Sequence, residues 1–207
     1  VKPIGINKFG LPPPVFIGGF VKNASLTDPV QCTLPAGSQV GDLWCSITNR
    51  DDATTPGAAY LVTGGPIYTK LGYKLLTATD LTNGYVLVSG LYTWTACTAL
   101  VFRGGTSFAV ASQLTEALAA GDRSITTPAF TPSGLARGLV ACYVYYRPDV
   151  TAWGPTPAGW TFIHSADAGV NNEWANYYNL GVSGAAVTFA CTCATDEAKQ
   201  AVIYEIR

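Results

Sequence analysis

The chain contains no methionine, a single histidine (His164) and only four glutamates, Glu116, Glu173, Glu197 and Glu205, in 207 residues. With one histidine and no Cys-x-x-Cys pair, a zinc site is not expected. There is no Gly-x-Ser-x-Gly elbow, and Gly104-Gly105-Thr106-Ser107 lacks the lysine of a phosphate-binding loop, so no cofactor site is expected either. No stretch reaches eighteen consecutive apolar residues, which removes a helical membrane span from the expectations. Charge is scarce: charged residues make up 12% of the chain, about half the ordinary globular share. Twelve basic and thirteen acidic residues are spread evenly, leaving a net charge of −1 and no electrostatic footprint for nucleic acid. Val1-Lys2-Pro3 lacks the basic-then-apolar order of a secretory leader, so synthesis in a cytoplasm without one is expected.

What the chain does contain is hydrophobic residues at 48%, with Tyr, Trp and Phe supplying 12%. A surface so poor in charge is either covered by other subunits or built as an uncharged Thr/Ser/Gly skin. The first reading makes the chain an assembly component.

The sequence also repeats. A shift of 97 positions lays Thr33–Gly57 over Phe130–Gly154 and matches eight of twenty-five residues: Pro35/Pro132, Gly37/Gly134, Gly41/Gly138, Cys45/Cys142, Arg50/Arg147, Asp52/Asp149, Thr54/Thr151 and Gly57/Gly154. Roughly two matches would arise by chance at ordinary composition. Leu43/Val140 and Ile47/Val144 agree in character as well. An internal duplication is the reading, with an extended proline-rich arm over 1–26, a first repeat over 27–112, a linker over 113–123 and a second repeat over 124–207.

In the arm, Pro12-Pro13-Pro14 forbids helix and favours an extended strap that docks through Phe16 on a neighbour or on its own domain. Beyond it, short alternating runs bounded by Gly, Pro, Asn and Asp predict strands, among them 42–48, 84–89, 98–102, 107–112, 139–146, 174–178, 186–191 and 201–206. Their number and spacing predict an all-β fold, an antiparallel β-sandwich or jelly-roll-like architecture in two duplicated halves. The one helical candidate is Gln113–Ala120, with Leu114, Leu118 and Ala119 apolar.

Six cysteines raise the question of bridges. Cys45 and Cys142 hold equivalent inward strand positions and read as small core residues. Cys191 and Cys193, two apart on a strand, share a face but are poorly placed to bridge each other. A bridge to Cys32, to Cys97 or to another chain remains open, since fifteen pairings exist.

Candidate chemistry is thin. Ser165 and Asp167 flank His164 on one strand and cannot orient each other as a triad does. Glu173 falls in a polar loop, Ala168-Gly-Val-Asn-Asn-Glu173, and reads as solvated. Asp51, Asp52 and Asp149 follow Arg50 and Arg147 after equivalent strands, and an Arg-Asp pair closing each turn is preferred to a calcium site. Asn23-Ala24-Ser25 fits a glycosylation sequon that means nothing without a leader. Aromatics crowd the second half, and alternation puts Tyr143 and Tyr145 on the face opposite Cys142 and Val144. Together with Trp153, Trp160 and Trp174 they are candidates for a protein interface or a sugar platform on a host glycan.

Several local strings go further: Leu34-Pro35-Ala36-Gly37 with Gly41-Asp42-Leu43, Tyr73-Lys74-Leu75, Phe102-Arg103-Gly104, and Pro157-Ala158-Gly159-Trp160-Thr161. Their order over about 30–207 resembles a β-sandwich module of tailed-phage virion proteins and of some bacterial surface proteins. The first copy departs from it with Gly65-Pro66-Ile67-Tyr68-Thr69 where Pro-Ala-Gly-Trp belongs, and the second with Gly138-Leu139-Val140 where Gly-Asp-Leu belongs. The resemblance implies a non-enzymatic virion component, as a capsid decoration or tail or baseplate protein, with other virion proteins and further copies of itself as partners. A receptor- or carbohydrate-binding fibre head is the alternative.

Overall fold

Two of the predicted runs, Leu43–Thr48 and Leu139–Val144, become the middle strands of two separate sheets. The computed structural model describes residues 12–22, 29–49, 59–62, 69–88, 97–116, 124–145, 154–167, 173–192 and 199–207. The first seven strands are β1 (Val15–Lys22), β2 (Val30–Thr33), β3 (Leu43–Asn49), β4 (Ala59–Val62), β5 (Thr69–Leu75), β6 (Tyr85–Val88) and β7 (Cys97–Arg103), with helix α1 (Ala78–Asn83) between β5 and β6. The next seven are β8 (Phe108–Glu116), β9 (Ser124–Thr126), β10 (Gly138–Tyr145), β11 (Thr161–Asp167), β12 (Glu173–Asn179), β13 (Ala190–Thr192) and β14 (Lys199–Ile206).

They form two five-stranded antiparallel sheets, ordered β1-β7-β3-β5-β4 and β11-β12-β10-β14-β8, and two small sheets, β2-β6 and β9-β13. Advancing each label of the first sheet by seven gives β8-β14-β10-β12-β11, the second sheet read from its other edge; β2-β6 likewise becomes β9-β13. The fold is an all-β antiparallel sandwich.

Period-two alternation explains how the layers stack. Leu43, Cys45 and Ile47 of β3 and Leu100 and Phe102 of β7 face Val140, Cys142 and Val144 of β10 and Val202, Tyr204 and Ile206 of β14 in one core between the two large sheets. The alternate residues Trp44, Cys97, Ala99 and Val101 pack outward under β2 and β6, with Val30, Cys32, Val86 and Val88. On the far side Leu139, Ala141, Tyr143, Ala201 and Ile203 pack outward under β9 and β13, with Ile125, Phe189 and Cys191. Four layers result, and the middle strands are buried on both faces, as continuous apolar runs require.

Three sequence expectations meet the structure here. In the described part of the expected helix, 113–116, the chain is strand: β8 runs through Glu116, paired with Lys199–Ile206 of β14, because an antiparallel partner supplies the burial that an isolated helical turn would lack. β8 therefore crosses the expected boundary at 112 and belongs to the second large sheet, while residues 117–123 lie outside the described residues. Of the expected arm, Val15–Lys22 is the edge strand β1, hydrogen-bonded to β7, so this part of it is laid on its own chain. The helix that does form, α1, was not anticipated. Thr77 and Asp80 close a reciprocal capping box, and Gly84 ends the helix in the left-handed region at φ 75°.

Candidate functional site

The single histidine is the natural starting point for chemistry. His164 projects from β11 at the rim of the core between the large sheets, where β12 supplies Trp174 and Asn176 and β7 supplies Thr98. Thr98 Oγ1 lies 2.9 Å from His164 Nε2, 2.9 Å from Trp174 Nε1 and 3.2 Å from Asn176 Nδ2. Trp174 and Asn176 can only donate through these atoms, so they occupy the lone pairs of the threonine oxygen. In that arrangement the hydroxyl proton can point at Nε2, which suits a neutral imidazole protonated on Nδ1. Burial pushes the His164 pKa down to about 4, in agreement with that state.

A hydroxyl 2.9 Å from an imidazole is the pairing a nucleophile and its base need. Thr98, however, is fully buried, and two donors already occupy its oxygen. The cluster works as a polar joint fastening β7 of one sheet to β11 and β12 of the other. A second joint sits at the matching position. Gln200 of β14 stands opposite Val144 as Thr98 stands opposite Ile47, and it accepts from Thr69 Oγ1 at 2.7 Å while donating to Thr115 Oγ1 at 3.0 Å.

A third arrangement ties the turns that lead into the middle strands. Arg103, the last residue of β7, donates from Nε to Asp42 Oδ1 and from Nη2 to Asp42 Oδ2, and Nη2 also reaches the Gly37 carbonyl at 2.8 Å. Asp42 in turn accepts from the Gln39 amide at 2.8 Å. The pairing Leu43↔Phe102 matches Val140↔Tyr204, so Glu205 stands where Arg103 does. Glu205 accepts from the Ser133 amide at 2.7 Å and from Ser133 Oγ at 2.6 Å, and Arg207 pairs with it at 3.1 Å. The charge is of opposite sign, with Leu139 at the position that matches Asp42, and the end of the last strand again holds the Pro-x-Gly turn. A shallow recess of about 180 Å³ lies beside α1, lined by Lys74, Asp80, Asn83, Tyr85, Val86 and Leu87, and the Lys74–Asp80 ion pair at 2.9 Å fills its polar side. Burial alone would raise the Asp80 pKa, but hydrogen bonds from the Thr77 side chain and backbone and the Lys74 ammonium bring it below the usual carboxylate value.

The aromatic candidates end in the interior. Tyr143 and Trp174 are fully buried, and Trp160, 7% exposed, packs edge-on against Phe189 with ring centroids 5.1 Å apart. The expectation that the face opposite Cys142 is a surface is corrected at Tyr143: β9 and β13 cover it. The β10 backbone includes Tyr145, but its side chain is outside the described set, as are Trp153, Cys193, Asn23, Asp51, Asp52, Asp149, Arg50 and Arg147. Glu173 opens β12 rather than sitting in a loop. Pro12 is exposed, Pro13 half-buried and Pro14 buried. Phe16 lies between Phe102 and Tyr178, with centroids at 5.4 and 5.0 Å, so its contact is with its own core. Cys191 packs in the second outer core, with Tyr177 Oη 3.5 Å from its sulphur; Cys32 and Cys97 lie together in the first. A bridge from Cys191 to either is thereby ruled out in this fold.

Among the described residues no cluster of three or more His, Cys, Asp or Glu side chains could hold a metal, and no helix is long and apolar enough to cross a membrane. Comparison with protein-family models, curated proteins and solved structures finds no match.

Proposed function

We propose that this chain is a non-enzymatic structural component of a tailed-phage particle, a capsid decoration or a tail or baseplate subunit, built by duplication of a seven-stranded unit and acting through subunit contacts. One observation carries the assembly part of this reading. Val15, Val40, Leu75, Val110, Leu135 and Phe162 are the exposed large hydrophobic residues among those described, and all lie toward the end of the sandwich where β3 and β10 begin. Val15 pairs with Arg103, Leu75 with Leu43, Val110 with Tyr204 and Phe162 with Tyr177, while Val40 and Leu135 sit on the turns before the two middle strands. The starts of β3 and β10 share that end, since a Cβ at Gly105 would touch both Leu43 and Ile206. Apolar tips on a chain so poor in charge favour burial against other subunits. The phage assignment rests on the motif resemblance alone. The sugar-binding alternative loses Tyr143, Trp160 and Trp174 to the interior.

Light scattering on the full chain and on a Val40→Asp/Leu135→Asp variant tests the assembly reading. The expected result is a concentration-dependent oligomer for the parent and a lower mass for the variant at unchanged melting temperature. A parent that stays monomeric at every concentration would overturn self-association.

A further inference from the structure

Beyond this role, we propose that Cys32 and Cys97 form an intramolecular disulfide that fastens β2 of the small outer sheet to β7 of the large one. Their sulphurs lie 3.6 Å apart across 65 residues of sequence, with both side chains in the same outer core. A disulfide requires about 2.0 Å, so forming the bond has to bring the two sulphurs closer than this contact. The other described cysteines are placed differently. Cys45 and Cys142 face the core between the large sheets, on the far side of their strands, and Cys191 belongs to the opposite outer layer. The pairing is also the one that adds most to the architecture. β2 and β6 are four-residue strands that make a two-stranded sheet among the described residues, and the bridge would anchor this lid covalently over Trp44, Ala99 and Val101.

The oxidant is a small-molecule disulfide such as oxidised glutathione. The thiolate of one cysteine attacks it, forming a mixed disulfide and expelling one glutathione thiolate. The thiolate of the other cysteine then attacks the protein sulphur and expels the second. Two thiols and one disulfide become one protein disulfide and two reduced glutathiones, with the two thiol protons released to solvent or to the leaving thiolates. Cys32 and Cys97 are 0% and 1% exposed, and the S–H contact with Cys32, together with burial, raises the Cys97 pKa. The exchange therefore belongs to folding, before the lid closes, or to moments when β2 and β6 lift away.

The test uses the full chain, refolded with oxidised and reduced glutathione or with reductant alone, then alkylated in denaturant and mapped by mass spectrometry without reduction. A Cys32–Cys97 linked peptide that disappears on reduction is the expected result, together with a melting temperature about 10 °C above the reduced chain for a loop of this length. A Cys32→Ala/Cys97→Ala variant should lose the redox dependence of melting. Alkyl label on both cysteines after oxidative refolding, or either one linked elsewhere, would overturn the proposal. Mapping of the parent decides the matter even if the variant does not fold, and its outcome is independent of whether the chain self-associates.

Discussion

Arg103 grips Asp42 with two parallel hydrogen bonds, Nε to Oδ1 and Nη2 to Oδ2, each 2.9 Å long. This joins the Gly-Asp-Leu string to the Phe-Arg-Gly string, two motifs 61 residues apart that read separately in the sequence. Such planar, two-point contact is what arginine provides and lysine does not. Asp42→Ala should lower stability by about 2 kcal/mol, since it strips the Gln39 amide of its acceptor as well as the guanidinium. Arg103→Lys should recover only part of the Arg103→Ala loss. Urea denaturation of the three variants checks both statements.

The polar joint at His164 predicts a loss of stability in acid. Its folded pKa of about 4 lies below the ordinary 6.5 of the unfolded chain, so between those values the unfolded state binds a proton that the folded state refuses. Stability from this group is fully present above about pH 6.5 and declines as pH falls to about 4, by roughly 2 to 3 kcal/mol in all. His164→Gln should flatten that part of the profile, as read from unfolding free energies between pH 4 and 7.

Thr98→Val keeps the shape of the side chain but leaves the Trp174 indole N–H without an acceptor inside the core. A loss of roughly 1 to 3 kcal/mol is expected. Thr98→Ser should retain most of the stability, which separates the hydroxyl from the methyl group in a thermal melt.

At α1, Thr77→Ala removes the acceptor for the Asp80 amide and one of the donors to the Asp80 carboxylate. The helix cap should weaken by about 1 kcal/mol. Amide exchange faster at Leu81–Gly84 than in the parent, with the sheet core unchanged, would show that the effect is local.

Much of this architecture was legible in the chain. Alternation and turn residues gave the all-β class, and they placed Cys45 and Cys142 in the core. The 97-residue offset laid β3 onto β10. The outer layers were not legible, because β2 and β6 are short and separated by 51 residues between Thr33 and Tyr85. Nothing local says that β2 and β6 cover Trp44 or that β9 and β13 cover Tyr143, which alternation alone leaves as a surface candidate. At Leu114 and Leu118 the spacing fitted a helical face, and pairing with β14 decided the outcome at Leu114. The cap of α1 was readable as Thr77-x-x-Asp80 followed by Gly84. The Thr98–His164 contact was not, since it depends on how two sheets meet.

The core between the large sheets has one further consequence. Each half presents its innermost apolar residues to the other, so a chain severed at Thr106, between β7 and β8, would give two pieces with exposed, matching faces. Neither piece should be soluble and folded by itself, whereas mixing them should restore a single cooperative melt, as in fragment complementation.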